Sequence, residues 1–188
     1  MIAGYIVRAQ ENGGVFYEGT LSDVLCPNCG RCLDNEYHPQ IINKQRVLDI
    51  SYTNDLRLIF SERLMEYLRD ISATFGQKLK FYPVNEHPKE FYLVPVEPRI
   101  RFNYRKRGTK FIGPCKICGG YKEIVGSTPA YLIINGVLDR GVYHTDVEFG
   151  TLRNKSPLML VDPTTKMDLE KMQIDGLYFK EAYDLDVD

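Results

Sequence analysis

Apolar residues fall mostly in short runs closed by glycine, proline or asparagine, so the chain reads as many strands and few helices. Tyr5–Arg8 and Gly14–Tyr17 flank a Glu11-Asn12-Gly13-Gly14 turn and predict a hairpin. Residues 56–60 (LRLIF) predict a short strand. Ser61 is then a fitting N-cap for a helix to about Phe75, with Leu64, Leu68, Ile71 and Phe75 on one face and Gly76 as its stop. Further strands are expected at 78–84 and 91–96. Ala130–Ile134 followed by Asn135-Gly136 signals a hairpin or tight turn. Near the end, 158–161 (LMLV) reads as a strand, Asp162 as an N-cap and Pro163 as the first helical residue. That helix should reach Met172, with Leu169 and Met172 inward, before Gly176 and a strand at 177–180.

Each half therefore carries a capped helix between two strands, preceded by a Cys-x-x-Cys-Gly loop. The expected fold is α+β, with two related halves, 1–98 and 99–188, packed as one compact unit. Each would supply a zinc-knuckle loop and a strand–helix–strand unit. A zinc-ribbon-like site near a pseudo-two-fold axis would join them.

The 188 residues include 44% hydrophobic and 26% charged side chains, the balance of a folded globular chain. Trp is absent, but 13 Tyr and 9 Phe can fill a core. A formal net charge of −1 favours neither nucleic acid nor membrane. The N-terminal stretch lacks the features of a secretory signal, and no run approaches the roughly 18 apolar residues of a membrane span. These points predict a cytoplasmic protein.

The five cysteines are the sharpest signal. Cys26-Pro-Asn-Cys29-Gly30 and Cys115-Lys-Ile-Cys118-Gly119-Gly120 each place two sulfurs where one loop can present both to a single ion, at about 2.3 Å for zinc. The glycine after each second cysteine suits a backbone turning at positive φ, and N–H groups in such a turn can point at the sulfurs. Cys26, Cys29, Cys115 and Cys118 thus predict one structural zinc with no open position for water. Iron in the same sulfur site and thiol–disulfide chemistry are the competing readings. Cys32 is a spare thiol or an alternative ligand, with His38 a distant candidate.

Residues 99–110 (RIRFNYRKRGTK) hold six basic side chains and no acidic ones. Arg99, Arg101, Arg105, Lys106 and Arg107 are candidates for a binding surface. The plainer account is a strand with Ile100, Phe102 and Tyr104 inward and the arginines in solvent, partly neutralised by the acidic end 181–188. His38, His87 and His144 lack metal or triad spacing, and Asp146 is the only nearby partner for His144. No nucleotide-binding or hydrolase motif is present, so nothing places a reaction.

CPNCG at 26–30, CKICGG at 115–120, His144–Phe149 and the closing stretch 155–182 resemble the double-CxxCG motif family of bacterial proteins. Several members are regarded as immunity proteins against toxins used between competing bacteria. The resemblance implies a cytoplasmic, non-catalytic zinc protein that binds and neutralises a cognate toxin. The alternative is a zinc-ribbon nucleic-acid-binding protein using 99–110, and an enzyme with an unrecognised site comes third.

Overall fold

The computed structural model describes residues 1–19, 21 and 23–184. The N-terminal part contains β1 (Ile2–Glu11), β2 (Ile50–Tyr52), β3 (Leu58–Ser61), α1 (Glu62–Thr74), β4 (Phe81–Glu86) and β5 (Lys89–Leu93). After it come α2 (Tyr104–Arg107), β6 (Lys110–Pro114), β7 (Tyr121–Val125), β8 (Ala130–Leu132), β9 (Val142–Thr151), β10 (Asn154–Val161), α3 (Pro163–Lys171) and β11 (Leu177–Asp184). The fold is mixed α+β, as expected, and mostly sheet.

The sheet runs β4-β5-β3-β2-β1-β10-β9-β7-β6, with β11 on the other side of β1 and β8 beyond it. One edge of β1 pairs with β11 from Ile2 to Ala9. Its other edge meets β10 at Tyr5 and Ile6, then β2 at Gln10 and Glu11. β10 is the apolar run read from the sequence, and its alternation feeds both faces. Met159 and Val161 join a core with Leu64, Leu68 and Leu169 of the helices, whereas Leu158 and Leu160 join one with Ile6, Phe102 and Phe149. A strand buried on both sides has no polar face, which is why LMLV is continuous.

Both long helices start as their caps predict. Ser61 Oγ accepts from the Leu64 N–H, and Asp162 Oδ1 accepts from the Thr164 and Thr165 N–H groups at 2.7 and 3.0 Å. α1 buries Leu64, Leu68 and Ile71, but Phe75 is half-exposed. It lies past the last helical residue at φ −104, ψ 18, which turns it off the apolar stripe and under the Arg140 guanidinium.

The two strand–helix–strand units share a topology. β3 and β4 flank α1 in sequence and are separated in the sheet by antiparallel β5. β10 and β11 flank α3 and are separated by antiparallel β1. The middle strand of the second unit is therefore the first strand of the chain.

Two expectations are corrected and one, at Asn135-Gly136, is narrowed. Residues 14–17 form no hairpin with 5–8, because both edges of β1 are taken by β11, β10 and β2. Instead the Asn12 side chain closes a turn onto the Gly14 N–H (2.8 Å), and Phe16 and Tyr17 are carried into a separate core where Asp55 accepts their N–H groups. Asn135-Gly136 is a tight turn but not a hairpin, since β8 pairs in parallel with β11 and Gly136 donates to the Asp184 carboxylate. Residues 99–107 are not a strand. Ile100 and Phe102 make single bridges, and Asn103 then caps the short α2, leaving Tyr104 exposed. Of the acidic end, 185–188 lies outside the described residues.

Candidate metal centre

Each cysteine pair sits in the same turn. Gly30 N–H donates to Cys26 O (2.8 Å) and Cys26 N–H to Arg31 O (2.8 Å). In the second loop Gly119 N–H donates to Cys115 O (3.0 Å) and Cys115 N–H to Gly120 O (2.7 Å). Gly30 and Gly119 have φ of 64° and 71°, the left-handed conformation the sequence called for. The supports differ. The second loop caps the β6–β7 hairpin, whereas the first closes through a bridge between Leu25 and Cys32 and rests on the β9–β10 turn.

The fold brings the four predicted sulfurs together, all within 4.8 Å of one another. Cys26 and Cys115 Sγ are 3.7 Å apart, and Cys29 and Cys118 Sγ 3.3 Å. A tetrahedron with about 2.3 Å metal–sulfur bonds has edges of about 3.8 Å. The donor set and its spacing fit one ion in a site formed by Cys26, Cys29 and Cys115, which are buried, and the half-buried Cys118. All five cysteines are free thiols.

The electrostatics point the same way. The backbone N–H groups of Cys118 and Ile117, with the Asn28 side chain, hold the Cys115 thiol down at about 6 against the cost of burial. Backbone N–H of Cys29 lowers Cys26 similarly, whereas burial pushes Cys29 up to about 12. Four clustered thiols cannot all ionise without a cation between them, and a bound divalent ion supplies that charge.

Two neighbours escaped the sequence reading. Asn28 Nδ2 crosses from the first loop to donate to Cys115 Sγ at 3.2 Å. Lys155, buried on β10, donates from Nζ to Cys29 O at 2.7 Å and Lys122 O at 3.3 Å, bridging the first loop to β7. Burial pulls its pKa below the usual lysine range, while Cys29, Glu148 and Cys118 favour its charge. Four thiolates around a divalent ion carry two negative charges, which a buried ammonium partly offsets. No spacing in the sequence points to Lys155.

The remaining candidates lie elsewhere. Cys32 donates to Asp34 O (3.1 Å), and His38 stacks on Tyr82 with rings 4.0 Å apart. His144 is buried, with its pKa lowered to about 3 by burial and then by Arg99. Its Nδ1 accepts from the Val96 N–H, while Asp146 accepts from the Phe102 N–H. Of the five basic candidates, Arg99 is held by Glu97 and Thr145, and Arg107 by Thr128 O, leaving Arg101, Arg105 and Lys106 exposed.

Compared with protein-family models, with curated proteins and with solved structures, the chain matches none. Fold and site together define a mixed α+β protein whose four-cysteine cluster can hold a metal ion. No helix among the described residues is long and apolar enough to cross a membrane.

Proposed function

We infer that this chain is a cytoplasmic, non-catalytic zinc protein of the immunity type, which binds and neutralises a cognate bacterial toxin. The observation that carries the reading is the closure of the cysteine site. Thiols from loops 89 residues apart surround one position, and four sulfurs saturate a tetrahedral ion. With no coordination position left for water, the ion's work is to clasp the fold, and all-sulfur tetrahedral coordination favours zinc, with iron second. The burial and neutrality of His144 support a non-catalytic role. The toxin-directed half of the reading rests on the resemblance of the CPNCG and CKICGG loops. A clasped scaffold would present a preformed surface, with little ordering cost on binding.

The test is protection. A host made to express the product of the reading frame beside this gene should stop growing, and co-expression of this chain should restore growth with the two products purifying as a complex. Unrestored growth and no complex would remove the immunity reading. The nucleic-acid alternative is favoured by one observation: Arg101, Arg105 and Lys106 are exposed and make no ion pair among the described residues. Three phosphate contacts predict a log–log salt slope of roughly −2 to −3. Salt-insensitive binding, or binding unchanged when all three are replaced by alanine, would dispose of it.

A further inference from the structure

Away from the cysteines, two arginines line adjoining cavities and make no close ion pair. Arg57 is 5% exposed, and its guanidinium donates from Nη2 to the Tyr17 hydroxyl (2.7 Å) and lies 5.0 Å from that ring's centre. Its Nε is buried without a hydrogen-bond partner among the described residues, and so is the Nε of Arg8. Neither arginine makes an ion pair among those residues. Of the nearby acids, Asp55 accepts the Phe16 and Tyr17 N–H groups, and Glu148 favours the Arg57 charge but pairs with Arg31, at 3.8 Å.

Arg57 lines a cavity of about 30 Å³. Arg8 lines one of about 240 Å³. They share Tyr52, Leu56, Ser156 and Pro157 as walls, and neither lining contains an aspartate or glutamate. His144 in the smaller wall is neutral and adds no charge. The turn carrying Arg57 is pinned: Thr53 Oγ1 accepts the Arg57 N–H at 3.0 Å, and Leu56 is held at a φ of 61°, which costs a non-glycine residue energy. A buried cation with no carboxylate in ion-pair contact is costly to the fold, and an arriving anion relieves that cost.

We propose that this pair of cavities binds a carboxylate carried on an apolar body of side-chain size, with Arg57 on the carboxylate, Arg8 drawing it in from the wall of the larger cavity, and the Leu56 and Pro157 walls on the body. The smaller volume suits a planar two-oxygen head, and the larger suits one ring or short chain but not a nucleotide. The carboxylate has two sources, a free small acid or a glutamate side chain of a bound protein. This inference does not depend on the proposed toxin partner.

The experiment uses the full metal-loaded chain and four probes read by calorimetric titration and thermal melting: benzoate, its neutral isostere benzamide, inorganic phosphate, and the peptide acetyl-Phe-Glu-Phe-amide beside its Gln counterpart. Saturable binding of benzoate or the Glu peptide is expected, with Kd raised about 10- to 100-fold by Arg57→Met and less by Arg8→Met. Tighter benzoate assigns the site to a free acid, and tighter Glu peptide assigns it to a protein side chain. Either supports the proposal. Should Arg57→Met fail to fold, Arg8→Met decides alone. Equal binding of benzamide or the Gln peptide, tighter binding of phosphate, no binding of either carboxylate, or affinities unmoved in the folded variants would overturn it.

Discussion

The two cysteine loops share their turn and their hydrogen bonds and differ in what stands behind them. The second sits at the end of a regular hairpin, with β6 and β7 paired from Lys110 to Tyr121. The first closes through the Leu25–Cys32 bridge and leans on remote groups: the β9–β10 turn under Gly30 and the Lys155 ammonium on Cys29 O, to which a bound ion would add. One half of the site is thus built by local pairing and the other by long-range packing. Identical coordination chemistry would then be a finishing touch on the second loop and a condition of folding on the first.

Removing the metal should break the comparison most visibly. Structural zinc contributes about 10–16 kcal/mol in peptides, more than a domain's usual stability of about 5–15 kcal/mol. Cys29→Ser and Cys118→Ser should therefore both give unfolded or insoluble protein. Milder removal by a chelator should separate the loops, with amide exchange around Cys26 rising well before exchange in β6–β7. Soluble, metal-free protein with an unchanged Tm would end the clasp idea.

Next in size come the paired glycines. A Cβ on Gly30 would meet Arg153 N at 2.6 Å and Leu152 C at 2.7 Å, both backbone atoms, whereas one on Gly119 meets nothing within 4 Å. Each alanine bears the left-handed strain, roughly 1 kcal/mol, and Gly30→Ala adds an overpacking cost. Chemical denaturation should show Gly30→Ala losing about 2–4 kcal/mol and Gly119→Ala about 1. Equal losses would mean that the first loop is not seated on the β9–β10 turn. Smaller again is Lys155→Met, which leaves Cys29 O and Lys122 O without their buried donor and removes a buried cation beside the site. A loss of metal affinity of about 10- to 100-fold is expected by competition titration, and an unchanged affinity would make Lys155 a packing residue only.

The same division explains what was readable beforehand. The cysteine loops, the Ser61 and Asp162 caps and the strand at 158–161 are local signals, each carried by a few adjacent residues, and all of them appear in the fold. What misled was non-local. Residues 5–17 look like a hairpin until Leu177–Tyr183 and Leu160–Val161 occupy both edges of β1, and nothing near Phe16 announces that Asp55 will take its N–H. Phe75 keeps the apolar spacing of α1 but falls one residue beyond its end. Lys155 and Arg57 resemble surface residues of short strands, and only the folded arrangement turns them inward.

Asn28 and Ile117 occupy the third positions of the two loops. Asn28 donates across the site to Cys115 Sγ, whereas Ile117 is exposed and its side chain has no donor. Such a bond spreads thiolate charge, so Asn28→Ala should weaken metal retention by about tenfold, the low end for a group behind the ligands. The matching hydrogen bonds of the two turns suggest pairing Cys26 with Cys115 and Cys29 with Cys118 about a pseudo-two-fold axis. Under that symmetry residue 117 faces Cys26 as Asn28 faces Cys115. Ile117→Asn should then supply the missing donor and restore the loss when combined with Asn28→Ala, at little cost because position 117 is in solvent. Metal affinities of the two single variants and the double variant decide it. If the second asparagine changes nothing, the loops are alike in their turns but not related by an axis through the metal.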